Sequence, residues 1–354
     1  MSDTPSVIEL GADRYAEWNA FLEGAIGTSI YSRPDYLDVL CQAAGGRFRI
    51  VAACRDDQIL GGVALYECES MFGRSVAPRL LLYYNGLVLR KFDTHYPSQQ
   101  TSRNIATQDA LASWISGLGL GSVNLRNLSD VTDVRPFLAR GWDASPGYSY
   151  RVDLSDLPGQ WSRVEHNLRR LVQRCATREA LSFTDDSDFE SFHRLHLLTL
   201  RRHHAPPYLP EAAFRRYFDQ LQARGLARLF HARLPDGQSI ASELVLLGPG
   251  GTSHTVAAGG DPACLNMGAH AFLRWRSFEA LAGRGCVSND LTDATLNAVT
   301  HFKSQLGGQL VVNLVLQSPR QFAYALGTKT SHKLHGLRHR LADAARHVLQ
   351  GASA

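Results

Sequence analysis

The sequence lacks several features that would place it in a common functional class. No apolar run reaches the roughly 20 residues that a membrane-spanning helix needs, so we expect no stable membrane insertion. The first residues, MSDTPSVIELGADRYAEW, have no basic start followed by an apolar core, so we expect no secretory signal. Neither a Gly-x-Ser-x-Gly elbow nor a Walker loop occurs, which disfavours a serine nucleophile and phosphoryl transfer.

Clustered cysteine is also missing. The six cysteines form no Cys-x-x-Cys motif and are scattered along the chain: Cys41, Cys54, Cys68, Cys175, Cys264 and Cys286. This pattern favours reduced thiols and a cytoplasmic location over a disulfide framework or a zinc site. The histidine pair His203-His204 has no carboxylate or cysteine partner nearby in the sequence, and no His-Glu-x-x-His motif occurs. We therefore predict no metal site.

What the chain does have is enough length and apolar content for two packed units. It has 354 residues, of which 44% are hydrophobic and 20% charged, and a single core rarely extends over that length. Each half contains helices, then a hairpin, then a strand-helix-strand run. The two hairpins turn on Asp56-Asp57 and on Asp236-Gly237. The pattern predicts an approximate repeat of an α/β unit about 150 residues long, with a boundary near 156–160.

Positive charge is concentrated in two segments although the net charge is only +4. Residues 320–354 carry six lysines or arginines against one aspartate, which gives +5 and leaves the rest of the chain near neutral. A second cluster comprises Arg163, Arg169, Arg170, Arg174 and Arg178. Such clusters favour RNA, phosphates or acidic membrane surfaces as partners. A solvated helix face explains each cluster equally well.

The order of several motifs carries a family resemblance. The second half runs through RVEHNLRRLVQRCATREALSF, TLRRHHAPPYLP, the hairpin LFHARLPDGQSIASELVLL, TVAAGG, NMGAHAFLRWRSFEALAGRGC, DLTD and HFKSQLGG. The first half contributes WNAFLEG, SIYSRPDYLDVL, ILGGVALYECESMFGRS and YYNGLVLR. Over about residues 15–320 this succession resembles the Fem-type aminoacyltransferases, in particular the Fem-related proteins of bacterial envelope gene clusters.

The resemblance implies an α/β fold of two tandem GNAT-like domains, each a mixed twisted sheet flanked by helices. The corresponding divisions are residues 1–156, residues 157–330 and a basic C-terminal helix over 331–354. It also implies a cytoplasmic bacterial enzyme that transfers an aminoacyl group from a charged tRNA to an amine acceptor, without a cofactor and without DNA as a partner. An acyl-CoA or acyl-carrier-protein N-acyltransferase and a noncatalytic binding protein of the same fold are the alternatives.

The choice of donor depends on one loop. GNAT domains that bind acyl-CoA present backbone N–H groups of a Q/R-x-x-G-x-G/A loop to the pyrophosphate at a helix N-terminus. The equivalent stretch here is LNMGAH (265–270), where only Gly268 matches. Leu265 replaces the polar residue and His270 the small one. The loop is therefore poorly suited to CoA, which favours an aminoacyl-tRNA donor and leaves Gly268 as a helix-start glycine or a substrate contact.

The resemblance also supplies the candidate site. The family's Phe-Lys-x-x-Phe/Leu-Gly motif matches FKSQLG (302–307), which follows Asp290 and Asp293. Attack of an amine on an ester builds negative charge on the carbonyl oxygen, which a fixed cation such as Lys303 would stabilise. Asp290 or Asp293 would orient the amine or accept its proton, unless Asp293 only caps the next helix.

Other residues are assigned to substrate or tRNA binding by the same resemblance. The predicted substrate-binding residues are Asn167, Arg169, Arg170, His203, His204, Gly268 and Phe302. The predicted tRNA-binding residues are Lys329, Lys333, Arg338 and Arg340.

Overall fold

The structure is a computed structural model that describes residues 4–71 and 73–319. Its strands are Ser6–Leu10 (β1), Arg47–Arg55 (β2), Gln58–Ser70 (β3), Gly73–Val76 (β4), Leu87–Leu89 (β5), Ser122–Arg126 (β6), Asp143–Asp153 (β7), Ser182–Asp186 (β8), Ala227–Arg233 (β9), Ser239–Leu247 (β10), Thr252–Gly260 (β11), Ser288–Asp290 (β12) and Gln309–Gln317 (β13). Its α-helices are Tyr15–Leu22 (α1), Pro34–Ala44 (α2), Pro97–Ser116 (α3), Arg135–Leu138 (α4), Leu157–Arg163 (α5), His166–Thr177 (α6), Phe189–Arg202 (α7), Glu211–Ala223 (α8), Ala269–Ala282 (α9) and Ala298–Gln305 (α10). None of these helices is both long enough and apolar enough to cross a bilayer.

The two predicted hairpins form at the predicted turns. Strands β2 and β3 pair antiparallel across Asp56 and Asp57, which adopt positive φ angles of 47° and 62°. Strands β9 and β10 pair across Asp236-Gly237, where Gly237 has a φ of 89°. Two-residue hairpin turns require such left-handed backbone, which Asp and Gly adopt more readily than other residues.

The mixed sheets predicted for the two halves are joined into one continuous sheet flanked by helices. Its order is β1-β2-β3-β4-β6-β13-β7-β12-β11-β10-β9-β8, with β5 paired to β3. Strand β13, at the end of the second half, lies between β6 and β7 of the first half. Strand β7 in turn lies between β13 and β12 of the second half. Each half therefore completes its part of the sheet with a strand from the other, and the boundary near residue 156 stays a prediction.

The hydrophobic core also crosses between the halves. One cluster of buried side chains contains Trp18, Tyr31 and Tyr36 of the first half together with Phe189 and Phe192 of the second. Of two further clusters, one lies mostly in the second half but includes Val152 and Leu154 of the first, and the other lies mostly in the first half but includes Leu316 of the second. A shared apolar cluster of this kind fixes the halves against each other, because separating them would expose large aromatic surfaces to water.

Candidate active site

A cavity opens where two parallel strands of the second half, β11 and β12, diverge. Strands β11 and β12 pair only from Thr252↔Ser288 to His254↔Asp290. Beyond that point residues 255–258 and 291–293 separate, and both segments line a cavity of about 750 Å³. Helices α7, α9 and α10 contribute the other walls, and Tyr83 reaches the cavity from the first half. A space of this size accommodates a small organic substrate or the reactive end of a larger one.

Lys303 lies in the last turn of α10 and its side chain lines this cavity. Its Nζ donates to the backbone carbonyls of Thr292 at 2.5 Å and Asp293 at 2.7 Å. An ammonium group has three N–H donors, so one remains for a ligand. Burial, with a smaller contribution from the positive charge of Arg274, lowers the pKa of Lys303 to about 8. Lys303 is thus a partly desolvated cation at the cavity wall, where charge acts more strongly than in water.

The loop that accepts these bonds has unusual backbone geometry. Thr292 and Asp293 have φ angles of 49° and 25°, values that residues with a side chain rarely adopt. Each such residue costs about 1–3 kcal/mol and persists only where its surroundings hold it. Here the Thr292 N–H donates to Asp290 Oδ1 at 2.6 Å, and Thr292 Oγ1 donates to the Thr255 carbonyl at 3.1 Å. These two hydrogen bonds hold the strained backbone in place and so fix the direction in which the two carbonyls face Lys303.

The structure gives the two candidate aspartates different positions. Asp290 is only 3% exposed and lies behind the loop, where its carboxylate also accepts bonds from Ser149 at 2.6 Å and Tyr84 at 3.0 Å. Both donors belong to the first half. Asp293 lines the cavity with an exposed side chain that contacts the Arg126 guanidinium at 3.4 Å. Asp290 is thus placed to hold the loop, and Asp293 is placed to meet a ligand.

The alternative that Asp293 caps the next helix is wrong. Helix α10 begins after Asn297, whose Oδ1 accepts the Thr300 N–H at 2.9 Å. An Asn side chain in extended backbone satisfies an N–H at the helix start that has no partner within the helix. The Asp293 carboxylate is therefore not used by the helix.

The predicted substrate-binding residues divide into two groups. Phe302, Gly268 and His203 line the cavity. Four others are not among the residues that line it: Asn167, Arg169, Arg170 and His204. Their neighbours on α6, Leu168 and Leu171, point into the cavity instead, because the helix turns its apolar face inward and its basic face outward.

The loop before α9 differs from a phosphate cradle in its packing as well as its sequence. Gly268 is the N-cap residue of α9 with a φ of 88°, and a Cβ there would lie 3.0 Å from Leu171 Cβ. Arg174 donates to the carbonyls of Asn266 and Met267, each at 2.9 Å. Helix α6 therefore packs closely on this loop, with an apolar side chain beside the glycine.

Sequence reasoning missed two other groups at the cavity. Arg274 on α9 lines it and forms an ion pair with Glu243 of β10, with Nη1 2.7 Å from Oε2. His196 on α7 also lines it, and burial lowers the pKa of this imidazole to about 4. A signal for the ion pair was present, since Glu243 is the lone charge of the apolar segment IASELVLL and Arg274 lies among the apolar residues of FLRWRSF.

A possible cation-binding group lies outside the cavity. Asp186, Asp188 and His231 have ligand atoms within 4.8 Å of one another. Arg233 donates to both carboxylates at 2.9 Å and so already offsets part of their negative charge. The prediction of tRNA binding by Lys329, Lys333, Arg338 and Arg340, like that of a helix over 331–354, lies outside the described residues.

Comparison with known proteins agrees with this architecture. Residues 162–304 match the family model described as an acetyltransferase (GNAT) domain. No sequence among the curated proteins matches the chain. The structure is similar to FemX, with a TM-score of 0.66 at 12% identity over 88% of this chain and 96% of FemX.

Two further solved structures have the same architecture. One is the C-terminal domain (DUF2156) of a putative lysylphosphatidylglycerol synthetase from Agrobacterium fabrum, with a TM-score of 0.57 at 11% identity over 91% of this chain and 97% of that one. The other is a tandem GNAT protein from the clavulanic acid biosynthesis pathway, with a TM-score of 0.51 at 10% identity over 89% and 99%. The chain therefore has the FemX-like tandem GNAT fold, and its residues 162–304 match the acetyltransferase (GNAT) domain family.

Proposed function

We propose that this protein transfers an aminoacyl group from an aminoacyl-tRNA directly to an amine acceptor, with Lys303 at the reacting carbonyl. The observation that carries the proposal is the position of the Lys303 ammonium, partly desolvated at the wall of the cavity between the diverging strands. FemX and a putative lysylphosphatidylglycerol synthetase domain share the fold, and the name of the second, which denotes an aminoacylated lipid, supports the reaction class.

The reaction requires no covalent enzyme intermediate. The lone pair of the acceptor amine forms the new C–N bond, and the carbonyl π electrons move to oxygen. A tetrahedral intermediate with an oxyanion results, and the third N–H of Lys303 donates to that oxygen. Collapse of the intermediate breaks the C–O bond to the ribose, and the departing oxygen takes the proton that the amine loses. Asp290 acts here as a positioning residue, because it holds the Thr292 backbone that orients Lys303.

The packing around Gly268 supports tRNA over CoA as the donor. In a CoA-binding loop the helix N-terminus must admit a pyrophosphate closely. Here Leu171 contacts the Gly268 position, and the ring of His270 occupies the space beside Gly260, where a Cβ would lie 2.2 Å from its Nε2. Both side chains pack closely near the start of α9 and so leave less room there for a pyrophosphate.

The test compares donors directly. The purified protein is incubated with a pool of radiolabelled aminoacyl-tRNAs, or with acetyl-CoA, in the presence of a bacterial small-molecule extract that supplies amines. We expect RNase-sensitive discharge of one aminoacyl-tRNA into an amide product, no dependence on CoA thioesters, and loss of transfer in Lys303→Met. The control variant Lys91→Met removes an exposed lysine of the first half and should retain full transfer.

Two results would overturn the proposal. Amide formation from acetyl-CoA that resists RNase would identify a thioester-dependent N-acyltransferase. Retention of every transfer in Lys303→Met, together with weaker binding of a ligand, would identify a protein that binds through this cavity without catalysis by Lys303.

A further inference from the structure

A buried arginine lies in the wall of the cavity without enough partners. Arg274 belongs to α9, most of whose residues pack into the core, and only 9% of Arg274 is exposed. Its anionic neighbour is Glu243, which is 1% exposed and lies on β10 behind the cavity. Burying two charges is costly unless their remaining donors and acceptors are also satisfied. The proposed reaction gives this ion pair no role.

The donors of Arg274 are largely unused. A guanidinium group carries five N–H donors in a planar fork. Among the described residues, no side-chain or carbonyl oxygen accepts a well-aligned hydrogen bond from Arg274, and both Nη1 and Glu243 Oε1 lack such a bond. Arg274 is also one of the residues that line the cavity. A group with this geometry and these free donors is suited to an oxyanion that presents two oxygens side by side.

The charges around the cavity favour the same ligand. Its lining contains the cations Arg202, Arg274 and Lys303 and one carboxylate, Asp293, which already contacts Arg126. Burial, together with the charges of Arg274 and Arg202, lowers the pKa of His270 to about 4, so this imidazole is neutral near pH 7. The cavity is therefore positively charged before a ligand enters, and an anion would remove that excess.

We propose that Arg274, held by Glu243, binds an anionic group of the substrate, a carboxylate or a phosphate ester, beside the reacting carbonyl. This inference rests on the proposed function only in taking the cavity as the substrate site. The anion belongs either to the donor, as a phosphate near the aminoacylated end of tRNA, or to an amino acid that carries a carboxylate. Its binding also adds negative charge near Lys303 and so favours the protonated form of that lysine.

The experiment measures binding and does not depend on transfer. Inorganic phosphate, adenosine 5′-monophosphate and L-glutamate are each titrated into the protein, and binding is followed by isothermal titration calorimetry and by the thermal unfolding midpoint. We expect millimolar or tighter binding of at least one probe to the wild type, and at least tenfold weaker binding to Arg274→Gln. Preference for adenosine 5′-monophosphate identifies a donor phosphate, and preference for L-glutamate identifies a carboxylate.

Two variants keep the result interpretable. Arg276→Gln removes an exposed arginine of the same helix that pairs with Glu279, and it should bind the probe as the wild type does. If Arg274→Gln does not fold, the double variant Glu243→Gln/Arg274→Gln replaces both buried charges and takes its place. Equal binding to the wild type and to the folded Arg274 variant, or no binding of any probe to the wild type, overturns the inference. Neither outcome bears on whether Lys303 supports transfer.

Discussion

Replacing Lys303 with arginine should move the alkaline limit of the transfer reaction. The pKa of Lys303 is lowered from 10.5 to about 8, chiefly by burial. The protonated form is the one that donates to an oxyanion, so its fraction sets the rate on the alkaline side. That fraction is about 90% at pH 7, about 10% at pH 9 and about 1% at pH 10. The contribution of Lys303 should therefore be complete below pH 7 and fall roughly 100-fold between pH 7 and pH 10.

The assay is kcat/KM for the discharge of aminoacyl-tRNA between pH 6 and pH 10. The acceptor amine must be neutral to attack, so the wild-type profile should rise with pH before it falls. In Lys303→Arg the guanidinium stays charged throughout this range, and the alkaline fall attributed to Lys303 should disappear even if the maximum rate is lower. Lys303→Met should lose about 10²–10³-fold in kcat at pH 7, the usual effect of removing one oxyanion donor.

The pH profiles of the wild type and Lys303→Arg show whether Lys303 is the group that titrates. If Lys303→Arg keeps the alkaline fall of the wild type, then another group titrates, and Lys303 is not the cation at the carbonyl. Lys91→Arg is the matched control because it makes the same chemical change at an exposed site of the first half. Its profile should superpose on that of the wild type.

Two predictions concern stability. Glu67 is 2% exposed and forms ion pairs with three arginines, of which Arg49 is nearest at 2.6 Å, so Glu67→Gln should lower the free energy of unfolding by about 3–5 kcal/mol in urea denaturation. The control Glu69→Gln changes an exposed residue of the same strand and should alter this free energy by less than about 0.5 kcal/mol. Equal effects of the two variants would contradict a stabilising role for the buried ion pairs. Gly260→Ala places a Cβ 2.2 Å from His270 Nε2 and should cost about 1–3 kcal/mol, whereas Gly24→Ala meets no atom within 4 Å; an unchanged thermal midpoint for Gly260→Ala would show that the ring can move aside.

The local structure followed closely from the sequence where short-range chemistry decides it. The Asp56-Asp57 and Asp236-Gly237 turns were predictable because few residues accept left-handed backbone. The position of Lys303 near a strand that ends in Asp290 was also predictable from the motif order. The motif did not predict that two backbone carbonyls of a strained loop accept hydrogen bonds from the Lys303 ammonium.

The other features of the cavity depend on contacts between residues that are distant in the sequence. The sequence predicted that the basic residues of α6 bind substrate. In the fold, helical periodicity turns Leu168 and Leu171 toward the cavity and Arg170 toward solvent. The Arg274–Glu243 pair joins segments 31 residues apart, and neither charge specifies its partner. Lone charges in apolar segments predict that a partner exists, but only the fold identifies it.

The exchanged strands have a consequence for synthesis on the ribosome. Residues 4–153 cannot close their portion of the sheet until residues 309–317, which pair with β6 and β7, have been translated. A nascent first half would therefore have one unpaired edge on β6 and two on β7 while most of the second half is still being made. Unpaired strand edges promote aggregation and recruit chaperones. Separate expression of the halves should yield poorly soluble fragments, and their best prospect of folding is to be produced together, so that each meets its missing strand in solution.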